Sequence, residues 1–440
     1  LDRELTPPAA RELFGDELGS GPEFARRLDS ADPLAEFRTR FELPGAEGEQ
    51  AVYLAGNSLG PLPAAAREAL EREVDRWAAR GVDGWFEEPF PWYGLDDRFL
   101  ETLASLVGAG PREVAVMNGL SVNLHLLLAS FFRPAGRRRR ILIERPCFPS
   151  DRFVVQTHLR WHGLDPASDL IEVGPCGGND AIQESEIERV LQAGGDEVAL
   201  VLLGGVNFLT GQVLDMPRIV EAARGCGARV GFDLAHAVGN IPLHLHDWDV
   251  DFAAWCHYKY VNAGPGAPAG VFVHERHSRD PGIGRLGGWW GNDPATRFRM
   301  QLDPEFTPRA DAAGWQLSCP PVLAMAPLGP ALALLEEAGI DRLRAKSRQL
   351  TAYLEWLLAE ALGREGQFLT PPEPDRRGAQ LSVRLPDRAE KVQKRLQEAG
   401  IVGDFRQPDV LRLAPAPLFN TFHEMWRTAE AVRAAVGAAP

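Results

Sequence analysis

A chain of 440 residues is too long for one compact core, so at least two domains are expected. With 45% apolar and 25% charged residues, and no apolar run near the roughly 18 residues of a membrane span, the composition is that of a soluble protein without membrane segments. A net charge of −14 argues against nucleic acid as a partner, because phosphate binding needs a concentrated basic surface.

In chain order, residues 1–50 show no sheet pattern and are expected to form helices packed on a smaller C-terminal domain. The first residues mix acids and prolines where a secretory signal has a basic end and an apolar stretch. Cys147, Cys176, Cys226, Cys256 and Cys319 lie far apart with no CxxC pair, and both features point to a reducing cytoplasm. Residues 51–325 are expected to form a large α/β domain. Its predicted strands are 114–117, 141–143, 198–203, 229–233, 252–255 and 270–273, rich in Val, Ile and Leu without strict alternation, as suits strands buried on both faces. Segments 184–192 and 216–225 read as crossover helices of a parallel sheet. The basic run Arg137 to Arg140 falls between apolar segments and reads as a solvated connection. After Pro320, Pro321, Pro327 and Pro330, residues 331–362 carry one long helical pattern. A strand (380–385), a helix (387–399) and a strand (410–413) complete a smaller α+β domain over 326–440.

Lysine is scarce. Lys346, Lys391 and Lys394 fall on amphipathic helical segments, where a solvated surface charge is expected, whereas Lys259 follows a buried strand and precedes the loop Asn262 to Gly266. Lysine does what arginine cannot when it forms an imine with a carbonyl, because a desolvated ammonium can lose its proton and a guanidinium does not. Asp233 ends another strand at the carboxyl edge, where α/β ligands bind. Alone it fits a helix cap; with Lys259 it fits a carboxylate that keeps a pyridine nitrogen protonated. The turn Asn118 to Asn123 opens a helix and can offer backbone N–H groups and Ser121 to a phosphate, or simply cap. A GxGxxG match at Gly282 to Gly287 follows a polar segment rather than a strand, so no dinucleotide site is expected there. His244, His246 and Asp247 lack a third ligand at a spacing that would support a metal, and no GxSxG elbow occurs.

These motifs resemble the kynureninases, which are pyridoxal phosphate enzymes of fold type I, the aspartate-aminotransferase-like fold. The resemblance runs from Tyr53-Leu54-Ala55-Gly56-Asn57-Ser58-Leu59-Gly60 to Leu411-Arg412-Leu413-Ala414-Pro415, over four-fifths of the chain. It includes Met117 to His125, Phe148-Pro149-Ser150-Asp151, Gly231 to Asn240, His246-Asp247-Trp248 and Tyr258-Lys259-Tyr260. The resemblance implies that Lys259 carries pyridoxal phosphate as a Schiff base, that Asp233 pairs with the pyridine nitrogen and that Phe148 stacks on the ring. It places Leu120, Ser121 and Tyr258 around the phosphate and Asp151 and His236 in the same pocket. Trp289 would reach the pocket from the second subunit of a homodimer, Arg412 would hold the substrate α-carboxylate, and Ser58 would lie near the substrate. The implied reaction is hydrolysis of L-kynurenine to anthranilate and L-alanine, with Lys259 removing the α-proton and Tyr258 assisting proton delivery. Three positions bear on cofactor and substrate contacts. Gly204 stands where a serine is common, Cys319 where animal members have asparagine, and Trp85 is similar to the aromatic residue of bacterial members. The hydroxyl of 3-hydroxykynurenine thus lacks suitable donors, so plain L-kynurenine is expected to be preferred. A cysteine-desulfurase-like enzyme, with Cys319 as its mobile thiol, or an aminotransferase-like one is the alternative within the fold. A non-catalytic member of the fold is the other, and Lys259, Asp233 and Arg412 together argue against it.

Overall fold

The computed structural model describes residues 7–15, 18–46, 49–178, 180–280 and 282–437. Short helices Pro8–Phe14 (α1) and Pro22–Ser30 (α2) open the chain, followed by the 17-residue helix Ala64–Arg80 (α3). Seven strands then build one sheet: β1 (Val114–Met117), β2 (Arg140–Glu144), β3 (Leu170–Val173), β4 (Val198–Gly204), β5 (Arg229–Asp233), β6 (Phe252–Trp255) and β7 (Ala269–Val273). Their order is β1-β7-β6-β5-β4-β2-β3. Only β7 runs antiparallel to its neighbours, β6 and β1; the other pairs are parallel.

Every residue of β1, β6 and β7 is buried, which explains why these strands are apolar runs rather than alternating ones. The period of two instead divides each strand between two cores. Leu142, Ala253 and Trp255 face one, whereas Ile141, Ile143, Phe252 and Ala254 face the other. Helices Leu120–Phe131 (α4) and Pro149–Trp161 (α5) cover the second face, and the predicted crossover helices form at Glu184–Gly194 and Met216–Gly225. Strand β3 is absent from the sequence expectation; it is only partly buried at the sheet edge, so its hydrophobic signal is weak.

A third core lies beyond the sheet, between helix Ile340–Leu362 (α7), helix Phe422–Gly437 (α9) and a four-stranded sheet. That sheet contains β8 (Gln367–Phe368), β9 (Leu381–Arg384), β10 (Asp404–Arg406) and β11 (Val410–Leu413) in the order β8-β9-β11-β10, with helix Ala389–Glu398 (α8) packed on it. Helix α1 packs on α7 and α2 on α9, with Ala10 and Ala25 in the same core. The long helical pattern expected over 331–362 is two helices, Leu328–Ala338 (α6) and α7. Gly339 adopts φ +75° between them, and the axes bend by 78°.

Two charged features depart from the sequence expectation. Lys346 is not a solvated charge: it is 5% exposed and bonds to buried Asp32 at 2.7 Å. The Arg137 to Arg140 run is not simply solvated either. Arg137 pairs with Asp196 and Glu197, Arg139 with Asp169, Arg140 with Glu197, and Arg138 donates to the carbonyls of Val198 and Cys226. Among the described residues no single helix is long and apolar enough to cross a membrane.

The turn Asn57 to Gly60 lies directly on the loop after β6. Gly60 N–H donates to the Tyr258 carbonyl at 2.8 Å, and a Cβ at Gly60 would stand 2.6 Å from the Lys259 carbonyl oxygen and 2.2 Å from Asn262 Oδ1. Backbone on one side leaves little room to yield, so Gly60→Ala is expected to cost about 1–3 kcal/mol. Thermal unfolding of the variant beside the parent checks this, and an unchanged midpoint would contradict it.

Candidate active site

The carboxyl edges of β2, β4, β5 and β6 open onto a cavity of about 310 Å³. Its lining includes Leu120, Ser121, Phe148, Asp151, Gly204, Asp233, His236, Tyr258 and Lys259. Each arrives by a short path from the sheet. Asn118 takes φ +45°, a conformation asparagine tolerates, and its side chain bonds to Asn123, which in turn donates to the Met117 carbonyl. This turn delivers the start of α4, whose N-cap is Gly119 with no side-chain cap, so the first N–H groups of the helix face the cavity unmasked. The start of α5 also reaches the cavity, through Phe148 and Asp151, and Ser150 Oγ lies 2.8 Å from Ser121 Oγ.

Asp233 is the last residue of β5, and its Oδ1 accepts from Ala235 N–H at 2.8 Å, so the helix-cap-like contact and a cavity-facing position coexist. Lys259 follows β6, is 9% exposed, and places Nζ 5.8 Å from the Phe148 ring centroid and 6.0 Å from that of Tyr258. Asp151 faces Asp233, and burial first, then this like charge, raises its carboxyl well above the usual range. His236 is held neutral by burial and by the charges of Lys259, Arg412 and Arg406. The Tyr258 hydroxyl is raised by burial and by adjacent Cys256, which keeps it a proton donor.

The residues present fit pyridoxal phosphate. A buried lysine supplies the amine, an uncapped helix start suits a phosphate, and an aromatic face stands at Phe148. Two buried polar atoms of the lining, His236 Nδ1 and Asp151 Oδ1, have no hydrogen-bond partner among the described residues, and both are available to a polar ring.

Other expected residues lie elsewhere. Arg412 is 1% exposed and does not line the cavity; its Nη1 donates to the carbonyl of cavity residue Phe208 at 2.5 Å and its Nη2 pairs with Asp404. Ser58 Oγ donates to the same Asp404 at 3.1 Å. Trp85 and Trp289 both join an aromatic cluster about Trp290, with ring centroids 6.0 and 5.0 Å from it, and neither lines this chain's cavity. Cys319 does not line it either, nor does any other cysteine among the described residues. Cys147, next to Phe148, is pushed up to about 12 by burial and by Glu144 and Asp151, which suppresses its thiolate. Near His246 the spacing argument missed Glu113 and His274, which folding brings within 4.8 Å of it. Hydrogen bonds account for the group: Glu113 accepts from Gly110 N–H, Glu275 N–H and His246 Nδ1, and His274 Nδ1 accepts from Arg276 N–H.

The sequence reading also missed Glu144, Phe208 and Asp404. Glu144 ends β2 as Asp233 ends β5, a signal that was present in Ile141-Leu142-Ile143-Glu144. Its Oε1 accepts from Gly204 N–H at 3.0 Å, and a side chain at Gly204 would press on that oxygen at 3.0 Å, which gives the glycine there a local reason. Burial, with Asp233 adding to it, pushes the Glu144 carboxyl up to about 7. An acid raised on folding releases its proton first in the unfolded chain, so its contribution falls as pH rises from about 4.5 to about 7. Glu144→Gln is therefore expected to gain stability over the parent through that window, by up to about 3 kcal/mol. Unfolding midpoints of the two proteins measured at several pH values check it, and a pH-independent difference would contradict it.

Two family models match, the aminotransferase class-V family over residues 101–281 and the kynureninase C-terminal domain over residues 343–432. The chain is 50% identical over 427 residues to the kynureninase of Salinispora tropica, covering 96% of this chain and 99% of that one. It is 48% identical to the kynureninase of Koribacter versatilis, over 92% of this chain and 95% of that one. Among solved structures, the C-DES mutant K223A with glycine covalently linked to its PLP cofactor superimposes with a TM-score of 0.73 at 19% identity, over 90% and 98% of the two chains. The apo cysteine desulfurase of Thermococcus onnurineus NA1 gives 0.71 at 16% identity, over 95% and 98%. These structural likenesses establish the fold, and the sequence identities go further: the chain belongs to the kynureninase family.

Proposed function

We propose that the protein hydrolyses L-kynurenine, adding water across the bond from Cβ to the side-chain ketone carbon to release anthranilate and L-alanine. It is thus a hydrolase acting on carbon–carbon bonds in ketonic substances, with pyridoxal phosphate as cofactor. The observation that carries this is the enclosure of Lys259 with Asp233 in a cavity bounded by an uncapped helix start. When bound, the cofactor supplies an electron sink for the carbanion chemistry.

The chain's own residues supply the rest. Lys259 holds the cofactor and takes the substrate α-proton, and Asp233 keeps the pyridine nitrogen protonated. Phe148 bounds one ring face, while Leu120, Ser121 and Tyr258 surround the phosphate, with Gly204, Asp151 and His236 completing the pocket. Because its hydroxyl stays protonated, Tyr258 can return a proton to the alanine fragment. Arg412 holds the substrate α-carboxylate, and Ser58 lies near the substrate.

The active form is read as a homodimer. Phe86 (58% exposed) and Phe298 (49% exposed) have ring centroids 5.5 Å apart, an exposed apolar pair of the kind a subunit interface covers. Trp85, Trp289 and Cys319 then act where two chains meet, and Trp289 reaches the partner's cavity. The cores on the seven-stranded sheet and the core on the four-stranded sheet support a larger and a smaller domain, but Leu34, Phe37, Phe41 and α6 residues Leu328 to Ala338 pack in the larger one, so the cores do not follow the expected bounds of 51–325 and 326–440 with 1–50 on the smaller. A cytoplasmic location in tryptophan catabolism accords with this reading.

Anthranilate fluorescence on mixing with L-kynurenine is the expected outcome, with lower kcat/KM for 3-hydroxy-L-kynurenine and a sedimentation mass of two chains. Lys259→Ala should lower kcat by at least about 10³-fold. Cofactor-loaded protein that releases no anthranilate would overturn the substrate assignment.

A further inference from the structure

One carboxylate organises every group that the proposed function assigns to the substrate's amino-acid end. Asp404 stands directly opposite Arg412 in the register of β10 and β11. Its Oδ2 receives Arg412 Nη2, Arg406 Nη2 at 3.0 Å and Ser58 Oγ at 3.1 Å. With Arg412 Nη1 fixed on the Phe208 carbonyl, the guanidinium is tied at both ends and its plane is set. Arg412 Nε is buried with no partner among the described residues, so one N–H of that planar donor group is left uncommitted. The cluster of two guanidiniums and one carboxylate carries a net single positive charge, and it lies close enough to the cavity for His236 to feel both arginines. That excess matches one monoanion.

We propose that Asp404 is a positioning residue for substrate recognition. It aims Arg412 at the substrate α-carboxylate, holds Ser58 beside it and limits the charge there to what one carboxylate balances. The inference rests on the kynurenine-hydrolysing reading but makes a separate demand. Asp404 acts through Arg412 on binding and leaves the bond-breaking steps to the groups around Lys259.

In the holoenzyme, Asp404→Asn is expected to raise KM for L-kynurenine about tenfold while kcat stays within about threefold. L-alanine, titrated through the absorbance of the bound cofactor, should lose affinity by the same factor. In a double-mutant cycle, Asp404→Asn should add less than about twofold to the KM of Arg412→Ala, because one residue works through the other. A role confined to folding would instead lower cofactor content and kcat in either background and would add to the arginine variant. Should Asp404→Asn not fold, Asp404→Glu keeps the charge but shifts the oxygens by one methylene, and the same loss confined to KM is expected. An unchanged KM in the variant that folds, or effects that add in the cycle, overturns the inference. If the parent releases no anthranilate while its L-alanine affinity still drops in Asp404→Asn, the substrate reading fails and the positioning role stands.

Discussion

Lys259 is enclosed with three carboxyl groups, Glu144, Asp151 and Asp233, at the carboxyl edge of a sheet whose strands are buried on both faces. In such surroundings charges act on one another far more strongly than in water, so the protonation of Glu144 and Asp151 depends on the groups around them. Burial raises Asp151 and Glu144, and each of them also responds to Asp233. Burial thereby weakens the negative charge that a count of acidic residues would place around the lysine. A cationic aromatic ring entering the pocket would meet two acids, Glu144 and Asp151, that burial shifts toward their neutral form. This balance requires the strand ends of β2 and β5 and the turn after β6 to lie side by side, which parallel pairing accomplishes.

Chain segments remote in sequence brace the loops around the same pocket. Gly60 rests on the Lys259 loop, while Asn57 Nδ2 donates to Gln380 Oε1 at 2.8 Å and Ser58 reaches Asp404. Backbone bonds from Leu54 to Val402 and from Ala414 to Leu54 bind that turn to the four-stranded sheet. Gln380 and Arg412 in turn hold carbonyls of the loop after β4, at Phe208 and Leu209. The groups that would grip the amino-acid end of a substrate are thus mounted on the smaller sheet but braced against the larger one. A shift between the two would disturb the contacts that Arg412 makes with Phe208 and, through Asp404, with Ser58.

Much of this was legible in the sequence because the chemistry has few substitutes. In a chain that uses arginine for nearly every basic position, Lys259 stood out, and Asp233 at the end of an apolar run marked the edge on which both would meet. Strands β1, β5, β6 and β11 were readable from apolar runs that cannot be left in water. What escaped lacked such a signal or depended on contacts far along the chain. Strand β3 is half-exposed, and Gly339 interrupts a hydrophobic pattern that otherwise continues in register. Lys346 looks like a surface charge until Asp32, from the other end of the chain, is seen beside it. Asp404 has no motif of its own; its meaning comes from the strand that pairs with it. Trp85, Trp289 and Cys319 lie outside this chain's cavity, and the roles assigned to them belong to the homodimer proposed above.

The central claim is that Lys259, and no other lysine, is the covalent attachment point. Lys346 is the informative competitor, since it is also buried, but it is spent on an ion pair remote from the cavity. Borohydride reduction of the purified holoenzyme followed by peptide mass mapping tests this directly. The pyridoxyl mass is expected on the peptide containing Tyr258-Lys259-Tyr260; its appearance on a peptide carrying Lys346, Lys391 or Lys394, or on none, would contradict the account.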